Sequence, residues 1–80
     1  MKGGLRMAFN YSKLKGRIVE KYSNQSNFAK AFGCSERTLS LKMNGKRPWK
    51  QQEILTAIKI LDLSENDIQE YFFTTEVQNI

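Results

Sequence analysis

Apolar residues recur every three or four positions along most of the chain, and this spacing predicts an all-α fold of five short helices. The first helix covers residues 11–22. The second follows Asn24, a good N-cap, and ends at Gly33. The third is capped by Ser35 and ends at Gly45, because glycine readily adopts the left-handed conformation that closes a helix.

Two further helices follow in the second half of the chain. The fourth begins after Lys50, where Trp49 and Ile54 have the spacing of a hydrophobic staple and Glu53 is placed to reach back to the helix start. This spacing favours packing over base stacking as the role of Trp49. The fifth helix follows Ser64 with a similar capping pattern.

The ends of the chain lack this helical period. Residues 1–9 are predicted to form a flexible N-terminal arm, residues 10–73 the helical domain and residues 74–80 a C-terminal tail. The tail contains Val77 and Ile80, whose branched side chains favour extended backbone.

Length and composition exclude several classes of protein. A chain of 80 residues buries only about 60% of its unfolded surface, which leaves little room for an enclosed substrate site. The chain has one cysteine and no histidine, so an internal disulfide, a histidine-bound zinc and Ser-His catalysis are excluded. We expect neither an enzyme nor a bound cofactor or metal. No apolar run reaches the roughly 20 residues that span a bilayer, and we expect a cytoplasmic protein.

Charge is unevenly distributed along the chain. All thirteen Lys and Arg residues lie between Lys2 and Lys59, where only three Glu residues oppose them, for a net charge of +10. From residue 61 onward the chain carries five acidic residues and no basic ones. A basic body suggests a polyanionic partner.

A set of residues around the second and third helices carries a family resemblance. Its members are Gln25, Phe28, Ala29, Phe32, Gly33, Leu39, Asn44, Gly45 and Lys46. With five short helices around it, this set resembles the DNA-binding domain of lambda-type phage repressors and Cro proteins, the XRE-like helix-turn-helix family, over residues 11–72. Three short sequence segments also resemble short phage and prophage Cro-like proteins, and these are residues 11–16, 35–42 and 68–73.

The resemblance implies that the third helix enters the major groove of double-stranded operator DNA. It places six residues on the side presented to base edges, and these are Ser35, Glu36, Arg37, Ser40, Leu41 and Asn44. Arg37 is the candidate for guanine, because its planar fork matches two acceptors on that base. Gln25 is implied to contact a backbone phosphate. The charges of Lys46, Arg47 and Lys50 suggest a second group of phosphate contacts.

The chain departs from the family late in the third helix. Where many members have a large apolar residue, this chain has Lys42, flanked by Leu41 and Met43. Either Met43 is buried four residues after Leu39, or Leu41 faces the groove. We favour Met43 as the core residue.

These observations predict a sequence-specific transcriptional regulator of the Cro or small-repressor type that occupies an operator. One module offers a short recognition helix, so we expect a pseudo-palindromic site and hypothesise a homodimer through the C-terminal end. The proposed contact residues are Tyr71, Phe72, Phe73 and Val77. The alternative is a protein-interaction module on the same fold, such as an antitoxin or antirepressor.

Overall fold

The helices lie close to the positions that the hydrophobic pattern predicts. The computed structural model describes residues 5–79, with side chains described from Phe9 to Thr75. The helices are α1 (Ser12–Tyr22), α2 (Gln25–Phe32), α3 (Glu36–Met43), α4 (Gln51–Ile60) and α5 (Ile68–Phe72), and a 3-10 turn (Glu65–Asp67) leads into α5. The prediction of five helices is confirmed, with each end within a few residues of its expected place.

Two short strands accompany the helices. Strand β1 (Leu5–Phe9) pairs antiparallel with β2 (Thr75–Asn79), so that Leu5 lies opposite Asn79 and Phe9 opposite Thr75. Neither this sheet nor the placement of residues 5–9 in it was predicted from the sequence, although extended backbone was expected in the tail. Residues 1–4 of the predicted arm and Ile80 lie outside the described residues.

The ends of α2 and α3 follow the capping residues in the sequence. The Asn24 side chain accepts a hydrogen bond from the Asn27 N–H at 2.8 Å, and the Ser35 hydroxyl accepts one from the Thr38 N–H at 3.0 Å. Each bond satisfies a backbone donor that has no partner within its helix. Gly33, at the end of α2, has a φ of +98°, which a residue with a Cβ rarely adopts.

The start of α4 also forms as predicted. Glu53 Oε1 accepts a hydrogen bond from the Lys50 N–H at 2.8 Å. Lysine has no acceptor with which to complete a reciprocal capping box, so this bond is the side-chain cap of α4. The same arrangement recurs at the 3-10 turn, where the Asp67 carboxylate accepts from the Ser64 N–H at 3.0 Å.

The core lies between the five helices. Its buried apolar members are Leu14, Ile18, Phe28, Ala29, Leu39, Ile54, Ala57, Ile58, Leu61 and Phe72. An aromatic series crosses it: Phe32 packs edge to face on Trp49, and Trp49 packs edge to face on Phe72, with ring centroids 5.7 and 5.1 Å apart. These contacts support the packing role expected for Trp49.

The position of Phe72 corrects one prediction. Phe72 is 1% exposed and belongs to the core, so its side chain has no surface to offer a second copy of the chain. Tyr71 is half-buried and Phe73 is exposed. Val77 lies in β2 opposite Met7, and its side chain is outside the described part.

Candidate nucleic-acid interface

The connection between α2 and α3 is short and closed by backbone hydrogen bonds. The N–H groups of Gly33 and Cys34 both donate to the Ala29 carbonyl, at 2.8 and 3.0 Å. The chain then passes directly to Ser35, the cap of α3. Because Ala29 is buried and its side chain is small, α3 packs closely against α2 at this turn.

The outward side of α3 carries most of the residues predicted to meet base edges. Leu39 is fully buried and orients the helix on the core. Five of the six predicted residues are exposed, and these are Ser35, Glu36, Arg37, Ser40 and Asn44. The sixth, Leu41, is half-buried. The exposed residues form a polar surface two helical turns long.

The rotation of α3 buries Lys42, rather than Leu41 or Met43, at the end of the helix. Lys42 points inward and is 2% exposed, three positions after Leu39 on the same side of the helix. Met43 is half-buried and packs against the core, which agrees in part with its predicted role. The burial of Lys42 was not predicted. The sequence carried one indication of this burial, because the family resemblance expects an apolar residue at position 42.

Lys42 is buried because it has partners. Its Nζ donates to Glu53 Oε1 at 2.7 Å and to the Pro48 carbonyl at 3.1 Å. The ring centroid of Trp49 lies 5.8 Å from the same nitrogen, within the range of a cation–π contact. A buried ammonium group needs such partners to offset the loss of hydration.

The carboxylate of Glu53 is held in its ionised form. Burial by itself raises the pKa of Glu53. Hydrogen bonds from Lys42 and from the Lys50 N–H lower it, as do the positive charges of both lysines. These lowering effects outweigh burial, and the pKa of Glu53 is below its ordinary value. The pKa of the nearby Cys34 thiol shifts in the other direction, because burial raises it. A protonated thiol is a poor nucleophile and metal ligand.

Three of the four basic residues of α1 form ion pairs within the protein. Lys13 pairs with Glu70 in α5, and Lys21 pairs with Asp62 beyond the end of α4. Arg17 donates to the Leu61 carbonyl at 2.9 Å and also pairs with a glutamate of its own helix. These cations hold α1 to the second half of the chain, where the acidic residues concentrate.

The cations near α3 are arranged differently. Lys46, Arg47 and Lys50 lie in the connection between α3 and α4, and Arg37 lies in the first turn of α3. All four are exposed, and none forms an ion pair with another side chain in the part of the protein whose side chains are described. Their charge is therefore available to a ligand. We call residues 46–50 the basic segment.

A groove joins the start of α2 to the end of α3. Gln25, Ser40 and Asn44 all line it. Lys15 of α1 lines the same groove and is exposed. The structure thus brings the predicted phosphate contact at Gln25 beside two of the predicted base-reading residues. The position of Lys15 beside Gln25 depends on how α1 packs against the other helices, which the sequence does not show.

Comparison with known proteins places the chain in a family. A family described as "Protein of unknown function (DUF739)" matches residues 7–75, and the chain belongs to it. The chain is also similar to a solved structure, the solution structure of the modulator of repression (MOR) of the temperate bacteriophage TP901-1 from Lactococcus lactis. The two are 53% identical, the match covers 82% of this chain and 89% of the other, and the TM-score is 0.75. No curated protein matches the sequence.

Among the described residues, no three His, Cys, Asp or Glu side chains are grouped so that they could hold a metal ion. None of the described helices combines the length and the apolar character that crossing a membrane requires.

Proposed function

We propose that this protein is a phage-type regulator of transcription that binds double-stranded operator DNA, with α2 and α3 acting as a helix-turn-helix. The observation that carries the proposal is the contrast between two sets of cations. Three of the four cations of α1 are engaged in ion pairs, whereas Arg37 and the three cations of the basic segment are exposed beside the polar surface of α3 without an acidic partner among the described side chains. Such an arrangement suits a polyanion.

In this proposal α3 enters the major groove and its exposed residues read base edges. Arg37 donates its planar fork to guanine O6 and N7, and Glu36 accepts from a cytosine amino group or orients Arg37. Ser35, Ser40 and Asn44 add hydrogen bonds, and Leu41 offers apolar contact to a thymine methyl group. Leu41 is the weakest member of the set because it is half-buried.

Phosphate contacts flank this base-reading surface. Gln25 contacts one phosphate from the first turn of α2, beside the end of α3 in the shared groove. Lys46, Arg47 and Lys50 contact the backbone on the other side of the recognition helix. These contacts set the orientation in which α3 enters the groove, and they act by binding rather than by catalysis.

A pseudo-palindromic operator and a homodimer complete the proposal. Phe72 is unavailable for the dimer contact because it lies in the core. Phe73 is exposed and packs edge to face on Phe9, with ring centroids 5.6 Å apart. A second copy would pair through a surface made of these two exposed rings and the adjoining β2, which contains Val77. The half-buried Tyr71 lies at the margin of this surface.

A second candidate function is supported by a specific observation. The similar phage protein is named as a modulator of repression, and a protein can modulate repression by binding a repressor as well as by binding DNA. The exposed rings of Phe9 and Phe73, close to the cations Lys46 and Arg47 in one groove, offer apolar and charged contacts to a protein partner.

Selection of bound sequences from random double-stranded DNA tests the first proposal. We expect enrichment of a palindromic consensus whose half-site spacing reports the symmetry of the complex. The selected site then allows a matched comparison: R47A/K50A should weaken binding strongly, whereas K30A/K59A, which also removes two exposed positive charges, should weaken it little. If the protein enriches no DNA sequence, that result contradicts operator binding and favours the protein partner.

A further inference from the structure

The ion pair between Lys42 and Glu53 joins two parts of the candidate interface. Lys42 lies in the last turn of α3, which carries the base-reading surface, and Glu53 lies in the first turn of α4. Between them runs the basic segment. We infer that Lys42 is a positioning residue that holds the basic segment in a fixed place relative to α3, an inference that rests on the DNA-binding function proposed above.

The hydrogen bonds of the connection support this role. At the end of α3, the Gly45 N–H donates to the Lys42 carbonyl and the Lys46 N–H to the Leu41 carbonyl. Beyond Lys46, the described hydrogen bond that ties the connection to α3 runs from Lys42 Nζ to the Pro48 carbonyl. Without it, residues 47–49 are attached to the body of the described structure by the packing of Trp49 and by the start of α4.

Glu53 extends the same tie to the next helix. One oxygen of its carboxylate accepts from both Lys42 Nζ and the Lys50 N–H. A single buried ammonium group therefore connects the end of α3, the middle of the basic segment at Pro48 and the cap of α4.

Packing alone does not explain a lysine at this place. An apolar side chain of similar length would fill the same volume without the cost of burying an ion, and replacing buried ion pairs by apolar residues often leaves stability unchanged or raises it. Such a residue could not donate to the Pro48 carbonyl. What the lysine adds is a directional link, and the link ends on the segment that carries Lys46, Arg47 and Lys50.

The variant K42M separates packing from hydrogen bonding at this position, since methionine keeps the volume and removes the donor. K42M/E53Q also removes the carboxylate charge that K42M leaves behind. K59M is the matched control, because Lys59 is an exposed lysine with no ion pair among the described side chains. The readouts are backbone order parameters of the full free chain, the thermal unfolding midpoint, and affinity for the selected DNA site with its salt dependence.

In wild type and K59M we expect rigid amides at residues 46, 47, 49 and 50, with order parameters near 0.85, roughly the value of an ordered backbone. In K42M and K42M/E53Q we expect these values to fall toward about 0.6 with the order of the rest of the domain unchanged. The unfolding midpoint should be maintained in K42M/E53Q but lowered in K42M, which leaves the Glu53 carboxylate without its partner. DNA affinity should fall by about tenfold and the salt slope by about one contact, with the base preference at the position of Arg37 retained.

Unchanged order parameters in the basic segment of both Lys42 variants would overturn the inference, whatever the DNA result. A uniform loss of order across all helices would also overturn it, because Lys42 would then only support the fold. Failure of the wild type to bind any DNA is a different result. It contradicts the proposed function, while the order parameters still decide whether Lys42 holds the segment.

Discussion

Phe72 meets Trp49 edge to face, with the two ring centroids 5.1 Å apart and the planes inclined at 78°. This contact joins the last helix to the connection between α3 and α4. It places the Phe72 side chain in the core of the domain rather than on a surface free for pairing, because Phe72 is almost completely buried.

Substitution of Phe72 should therefore have a large effect on stability. We expect F72A to lower the free energy of unfolding by about 3–5 kcal/mol, through lost apolar burial and the cavity that remains. F73A is the control, since Phe73 is 38% exposed and mainly loses its contact with Phe9, at a cost of about 1 kcal/mol. Urea unfolding followed by circular dichroism measures both. Equal effects would contradict the assignment of Phe72 to the core.

Two glycines should respond to the same substitution in opposite directions. Gly33 has a φ of +98° and open space around it, so G33A should destabilise by about 1–2 kcal/mol through backbone strain and not through a clash. Gly16 lies inside α1, also with open space, and G16A should stabilise by about 1 kcal/mol because alanine favours helix. Thermal unfolding of the two variants gives the signs directly. An unchanged stability in G33A would contradict the expected backbone strain at this left-handed position.

DNA binding should depend steeply on salt. If six phosphate contacts form, the association constant should fall by about a thousandfold between roughly 50 and 200 mM salt, because each contact releases counterions from the DNA. Fluorescence anisotropy on the selected site, repeated at several salt concentrations, gives the slope. A flat dependence would show that the exposed cations do not contact phosphates.

Arg37 and Lys46 should differ in what they contribute. R37A should cost about 1–3 kcal/mol on the selected site and relax the preference at one base position. K46A should weaken binding to all sequences alike and reduce the salt slope by about one contact. Competition with single-base variants of the site distinguishes the two patterns. A uniform loss in R37A would remove Arg37 from the base-reading set.

Acid should weaken the fold through Glu53. Its pKa in the folded protein is lowered from the ordinary value of 4.5, so its stabilising contribution is complete above about pH 4.5 and is lost as the pH falls through the folded value. We expect the free energy of unfolding of the wild type to fall more steeply below about pH 4.5 than that of K42M/E53Q, in which no ion pair remains. Urea titrations from about pH 7 to about pH 3 test this. Parallel curves would mean that the pair contributes nothing.

The parts of the fold that depend on neighbouring residues could be predicted from the sequence. Asn24, Ser35 and Glu53 act as helix caps within three residues of their partners, and Gly33 ends its helix through its own backbone conformation. Each of these signals is local, so composition and spacing were sufficient. The outward placement of Arg37 was implied by the family resemblance, and in the structure Arg37 is exposed on the side opposite the buried Leu39.

The parts that were missed depend on distant residues. Lys42 is buried because Glu53 and Pro48 meet it from another helix and its connection, which requires knowing how α3 rotates on the core. Strand β1 was missed because its partner lies at the other end of the chain. A short apolar stretch without periodicity carries no sign of a partner so far away.

The pairing of β1 with β2 also sets the order in which the molecule can be completed during synthesis. Leu5 is made well before its partner Asn79, so the two strands cannot pair while the ribosome still holds the second half of the described chain. The contacts of α1 with α2 and of α2 with α3 join neighbours in sequence and can form earlier. Pairing of β1 with β2 therefore follows the steps in which these first helices can pack.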